Sequence, residues 1–173
     1  SRSHRHQYIY KAALTEKILL GRHSLQTASM LQEFRVADCK ADVAILNGTA
    51  TVYEIKSERD SLTRLKHQIA TYRTVFAKVY VIAGENHINA VTQHVPDDVG
   101  ILLLSDRYQI SPVREAVDAP ERTSPAAIFD SIRIEEAKKI LGMAGVVVPE
   151  VPNTERYKTV RELFIRLAPT EAH

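Results

Sequence analysis

The stretch Ala41-Asp42-Val43-Ala44-Ile45-Leu46-Asn47-Gly48-Thr49-Ala50-Thr51-Val52-Tyr53-Glu54-Ile55-Lys56 decides how this chain is read. Two runs of β-forming residues flank Asn47-Gly48. Asn-Gly between such runs is a strong hairpin signal, because both residues tolerate the positive φ that a tight turn between strands requires. The expectation is a pair of adjacent antiparallel strands. Side chains alternate along a strand, so Glu54 and Lys56 share one face while Tyr53 and Ile55 point to the other, toward core. Asp42 adds a second carboxylate from the preceding strand.

Two carboxylates on rigid elements can hold a hard divalent cation through oxygen and leave positions open for water and a phosphate oxygen. Such an ion polarises a phosphodiester, lowers the pKa of the attacking water and neutralises the leaving oxygen. A lysine beside it positions that water or stabilises developing negative charge. The chemistry indicated at Asp42, Glu54 and Lys56 is metal-dependent phosphodiester hydrolysis. The D…ExK spacing alone is a weak signal, since exposed strand faces often carry Glu and Lys as a solvated pair.

The next segment strengthens it. Residues Asp60 to Ala77 predict a helix with Leu62, Leu65, Ile69, Tyr72 and Phe76 on one stripe and Asp60 or Ser61 as its N-cap. Gln68 and Tyr72, four apart, sit on neighbouring turns of one face. Lys78 to Gly84 reads as a buried strand. This order of strand with Asp, turn, strand with ExK, helix with QxxxY, then strand resembles the PD-(D/E)XK nuclease superfamily in its RecB-like branch, over residues 31 to 84. The tetrapeptide Glu54-Ile55-Lys56-Ser57 is also similar to small bacterial DNA-repair proteins of the MmcB type. The whole chain resembles a bacterial family of small proteins known by a locus-tag name.

The resemblance implies a site. Asp42, Glu54 and the main chain of Ile55 would bind Mg2+ or Mn2+, Lys56 would be catalytic, and an upstream glutamate would complete the set. Glu33 is the candidate for that last place. The family usually carries this acid on the first helix rather than on a strand, so Glu16 is the alternative. Gln68 would support the site and Tyr72 would contact nucleic acid. Ala41 stands where the family often has proline. Arg35 and Lys40 flank the carboxylates in sequence, and Arg64 lies on the following helix; all three are candidates for neutralising phosphates.

The elements around this centre predict a fold. Gln7 to Leu20 reads as a first helix, with Ile9, Ala12, Ala13 and Leu20 toward the core and Gly21 ending it. Ser24 to Leu31 adds a further helical turn before the strand of Glu33. Asn86 to His94 is a helix and Val99 to Ser105 a buried strand. The resulting αβββαβαβ order places helices on both faces of a mixed sheet, the three-layer core of restriction-endonuclease-like α/β folds. That core is expected over residues 1–105, with residues 106–173 as a helical C-terminal extension packed on it. Within the extension, Asp106 to Ser124 reads as a loop or strap. Pro125 to Leu141 is a helix capped by Ser124, and Asn153 to Leu167 is a last amphipathic helix. No recognition-helix signature is visible there, so its expected role is to cover apolar surface.

Composition sets the bounds. With 173 residues and 45% hydrophobic content the chain can build one well-packed core. A net charge of +2 argues against a protein that coats DNA avidly. Basic residues nevertheless concentrate before Lys40 and on the helix after the motif. No segment is long and apolar enough to span a bilayer, and the expected address is cytoplasmic, with no membrane partner. The single cysteine, Cys39, excludes an internal disulfide and reads as a core residue; His67 and His87 read as surface residues.

The function expected is therefore an Mg2+-dependent nuclease in DNA repair or in defence against phage and mobile elements. DNA is the expected substrate rather than RNA, and a homodimer or protein partner is compatible with the sequence. A non-catalytic nucleic-acid-binding module of the same fold, or an interaction or immunity-type protein, are the alternatives.

Overall fold

The Asn47-Gly48 hairpin organises the sheet: Gly48 takes a φ of +70°, the left-handed conformation the turn demands. The computed structural model describes residues 11, 13–18, 21–22, 28–107 and 109–173. Strands β1 (Ser29–Val36), β2 (Cys39–Leu46), β3 (Ala50–Lys56), β4 (Lys78–Gly84), β5 (Gly100–Leu104) and β6 (Ile110–Arg114) form one six-stranded sheet in sequence order. β1, β2 and β3 run antiparallel, β3, β4 and β5 parallel, and β6 returns antiparallel to β5. Parallel neighbours require crossovers. These contain α1 (Leu65–Tyr72) between β3 and β4, and α2 (Ile88–His94) between β4 and β5.

Alternation along the strands sorts the core into two faces. Leu14 and Ile18 of an N-terminal helical segment pack on Val43, Ile45, Tyr53, Ile55, Tyr80, Ile82 and Leu102. The opposite face carries Val52, Val79, Val81 and Ile101, covered by Leu65, Ile69 and Tyr72 of α1. The same cluster takes in the C-terminal helices α3 (Pro125–Ser131), α4 (Ile134–Met143), α5 (Asn153–Phe164) and α6 (Pro169–Ala172) through Ile128, Phe129, Leu141, Val160, Phe164 and Ala172. The mixed sheet between helical layers is the α/β class expected.

Several boundaries moved. Residues 110–114, expected in a loop, form β6 at the sheet edge, where a strand tolerates Pro112. The helix expected from Asp60 begins only at Leu65, because the Asp60 carboxylate instead accepts the Ser57 N–H at 2.8 Å and its hydroxyl at 2.7 Å, holding a turn. The helix expected over 125–141 is two: Ile132 and Arg133 are extended, and the Glu136 carboxylate accepts the Arg133 N–H at 2.8 Å to start α4. Gly21 is itself helical rather than a terminator, and Ser29 to Leu31 belong to β1 rather than to a helical turn. Ala13 is exposed, so the buried stripe of the first helix runs through Leu14 and Ile18 instead. Ile9, Ala12, Leu20 and residues 24–27 lie outside the described residues.

Candidate active site

Asp42 stands at an irregularity of the sheet. Cys39, Ala41 and Ala44 pack on the α1 face, whereas Val43 and Ile45 pack on the other, so the alternation changes phase at Asp42. Across from it on β1, between the pairs Gln32↔Val43 and Phe34↔Ala41, Glu33 has a φ of +53°. A non-glycine residue there costs about 1–2 kcal/mol, so packing on either side imposes the conformation. The β2–β3 pairing ends at Val43↔Tyr53. Beyond it the Ile55 N–H is received by Asp42 Oδ2, at 2.9 Å. This hydrogen bond orients Asp42.

Glu54 and Lys56 lie on the α1 face, 3% and 8% exposed. Burying two charges is tolerable only when they are paired and their remaining lone pairs and protons are used. Here they are. Lys56 Nζ lies 2.9 Å from Glu54 Oε1 and donates to Gln68 Oε1 at 2.9 Å. Gln68 Nε2 donates to Glu54 Oε1 at 2.8 Å, and the Tyr72 hydroxyl donates to Oε2 at 2.9 Å. The Gln68 amide has one orientation that satisfies both neighbours, its oxygen toward the ammonium and its nitrogen toward the carboxylate. Burial, and then the charge of Asp42, raise the Glu54 carboxyl above the usual 4.5, although Lys56 and Tyr72 pull the other way. Burial and the Glu54 carboxylate also push the Tyr72 phenol upward, which keeps it a hydrogen-bond donor.

Asp42, Glu54, Lys56 and Gln68 are therefore brought together, and α1 is the element that completes the group. Tyr72 joins them but is 0% exposed, which corrects the expectation that it contacts nucleic acid: its ring is core and its hydroxyl serves Glu54. Glu33 is also corrected. Its side chain is solvent-exposed and ion-paired to Lys40 at 3.0 Å. Among the described residues, no group of three potential ligand side chains within 4.8 Å of one another includes Asp42 or Glu54. Glu16 is exposed on the helical segment and does not fill the place. Arg35 and Lys40 are cross-strand partners at the exposed end of the β1–β2 hairpin, and Arg64 is exposed at the start of α1.

Sequence reasoning missed Lys11. Its ammonium donates to Asp42 Oδ1 as a close ion pair, from the helical segment packed on the face opposite α1. Burial alone would lower its pKa, but the hydrogen bond and charge of Asp42 outweigh this and the net shift is upward from 10.5. The available signal was the helical spacing of Lys11, Leu14, Thr15 and Ile18, which share one face. A separate cleft of about 460 Å³, lined by Lys17, Ile18, Gly21, Arg22, Gln109 and Ile110, includes none of the carboxylates.

Fold and site together define a three-layer α/β protein in which two carboxylates and a buried lysine group on β2 and β3 beneath α1. Residues 1–168 match the family described as Bacteriophage P4 protein cII, and the chain belongs to that family. It is 36% identical to Protein cII of Enterobacteria phage P4 over 80 residues, 45% of this chain and 30% of that protein's length. Among solved structures it is similar to SfsA of Pyrococcus furiosus, determined in complex with Ca2+, with a TM-score of 0.40 and 15% identity over 64% of each chain. Among the described residues no helix is long and apolar enough to cross a membrane.

Proposed function

We propose that the chain is a metal-dependent nuclease of the PD-(D/E)XK type, acting on DNA, with Asp42 and Glu54 as cation ligands and Lys56 as the catalytic lysine. The observation that carries this reading is the Glu54–Lys56–Gln68–Tyr72 network, in which a buried carboxylate and a buried lysine are held at fixed geometry beside a second carboxylate. The residues fit a hard cation. Each carboxylate offers oxygen, and the charge of Asp42 bearing on Glu54 is a repulsion that a bound divalent ion would relieve. When bound, Mg2+ or Mn2+ would neutralise charge on the scissile phosphate and make the attacking water more acidic. Lys56 orients that water or stabilises developing negative charge, Gln68 and Tyr72 hold Glu54 in place, and Arg35, Lys40 and Arg64 supply exposed cations for phosphates.

The test is a panel of labelled linear, nicked, flapped and single-stranded DNA and RNA with Mg2+ or Mn2+, run beside Lys56→Ala. The reading expects cation-dependent cutting that Lys56→Ala loses while remaining folded. One observation favours a second reading, a non-catalytic nucleic-acid-binding module: Lys11 already occupies Asp42 Oδ1. That version expects salt-sensitive binding and no cutting with any divalent cation. A role in repair or in phage and mobile-element defence, a cytoplasmic address and a dimeric or partnered state belong to the same proposal.

A further inference from the structure

Asp38, Cys39 and His67 converge outside the site just described. The β1–β2 turn, in which Ala37 has a φ of +51°, carries Asp38, and Cys39 is the first residue of β2. His67 comes from α1, one position before Gln68. One oxygen, one sulfur and one nitrogen from the three side chains all lie within 4.8 Å of one another. His67 Nε2 is 3.0 Å from each oxygen of Asp38, and Cys39 Sγ is 3.7 Å from Asp38 Oδ1. Around a tetrahedral zinc ion, with bonds of about 2.0–2.3 Å, ligand atoms stand roughly 3.3–3.7 Å apart. The cluster needs only a small adjustment to match.

We propose that Asp38, Cys39 and His67 bind a transition-metal cation of the Zn2+ type, with water as the fourth ligand. A sulfur, an imidazole nitrogen and one carboxylate oxygen make a borderline-soft donor set, unlike the all-oxygen pair at Asp42 and Glu54. Binding replaces the thiol proton: Cys39 releases one proton to solvent and its sulfur takes the cation, so that thiolate and carboxylate together balance the divalent charge. Asp38 and His67 are exposed, which gives the ion an entry path, whereas Cys39 is buried at the base. The ion ties the β1–β2 turn to α1. This site stands independently of the nuclease reading.

The experiment uses the whole chain, reduced and stripped of metal, titrated with Co2+ as a spectroscopic substitute for Zn2+. The expected result is a stoichiometric complex with thiolate-to-cobalt charge-transfer absorption and the strong visible bands of a tetrahedral site, both bleached by Zn2+. Cys39→Ala should remove the charge-transfer band. Because that residue is buried, His67→Ala provides a second variant at an exposed position, and it should weaken Co2+ binding by about tenfold or more. Asp42→Ala combined with Glu54→Ala should leave the spectrum intact. Absence of the charge-transfer band at saturating Co2+, an unaltered titration of His67→Ala, or loss of the band in an Asp42/Glu54 double variant whose circular dichroism remains that of the folded protein would each overturn the proposal.

Discussion

Replacing Lys11 by methionine removes the ammonium from Asp42 while keeping a stem of similar length against the sheet. The Lys11 side chain is 41% exposed and Asp42 14%, so the pair is closer to a surface ion pair than to a buried one. Exposed pairs contribute about 0.2–1 kcal/mol, and the sheltered carboxylate places this one near the upper end. A cation that engages Asp42 Oδ1 must first displace the ammonium. At about 1.4 kcal/mol per tenfold, losing an obstacle of about 1 kcal/mol tightens Mg2+ or Mn2+ binding by up to roughly fivefold. The metal-free protein should lose no more than about 1 kcal/mol of stability. The Lys11 pKa is raised above 10.5, so its pairing is fully present below that value and is lost only as pH rises through the shifted one. The affinity gain should therefore be constant across the neutral range. Calorimetric titration with Mg2+, or the spin-resonance signal of free Mn2+, measures it. If a folded Lys11→Met protein binds the cation more weakly than wild type, Lys11 is not a competitor and the reasoning fails.

Three further outcomes follow from the same geometry. Tyr72→Phe removes the 2.9 Å hydrogen bond to Glu54 Oε2 and should cost about 1–3 kcal/mol in urea denaturation; unchanged stability would show that the hydroxyl contributes nothing. Glu54 has a folded pKa raised above 4.5, so its contribution to metal-free stability is present below that value and is lost as pH rises through the folded one. Since a cation needs the ionised carboxylate, the melting-temperature increment given by Mg2+ should grow with pH over the same interval, and a flat or falling increment would contradict Glu54 as a ligand. Gly100→Ala would place a Cβ 2.3 Å from the Tyr80 ring and 2.8 Å from the Ala116 nitrogen. It should destabilise by about 1–3 kcal/mol, and a neutral thermal melt would show that β5 shifts freely there.

Much of the fold is written in local signals. Asn47-Gly48 fixes the hairpin, continuous apolar runs mark β4 and β5, and Ser124-Pro125 caps α3 as expected, with Ser124 Oγ accepting the Ala127 N–H at 3.3 Å. Two of the misplaced helix boundaries share a cause: a polar side chain chose a backbone partner that periodicity does not register, as Asp60 did with Ser57 and Glu136 with Arg133. β6 was hidden because an edge strand can carry Pro112 and charges without an apolar alternation to betray it. In the candidate site, the grouping of Glu54, Lys56, Gln68 and Tyr72 was legible because two short periodicities, two on a strand and four on a helix, place them in pairs. The phase change at Asp42 was not, since no residue is inserted and the flip depends on the conformation of Glu33. Nor was Lys11, because helical spacing says which residues share a face but not which part of the sheet that face meets. Cys39 was read correctly as buried and His67 as exposed, yet their convergence with Asp38 depends on how α1 docks on the β1–β2 turn.

The central claim is that one divalent cation sits between the carboxylates of Asp42 and Glu54. Crystals soaked with Mn2+ and measured at its absorption edge test this directly. An anomalous peak within bonding distance of oxygens from both residues is the predicted result. A well-ordered site with no such peak, or Mn2+ bound only elsewhere on the molecule, would contradict it.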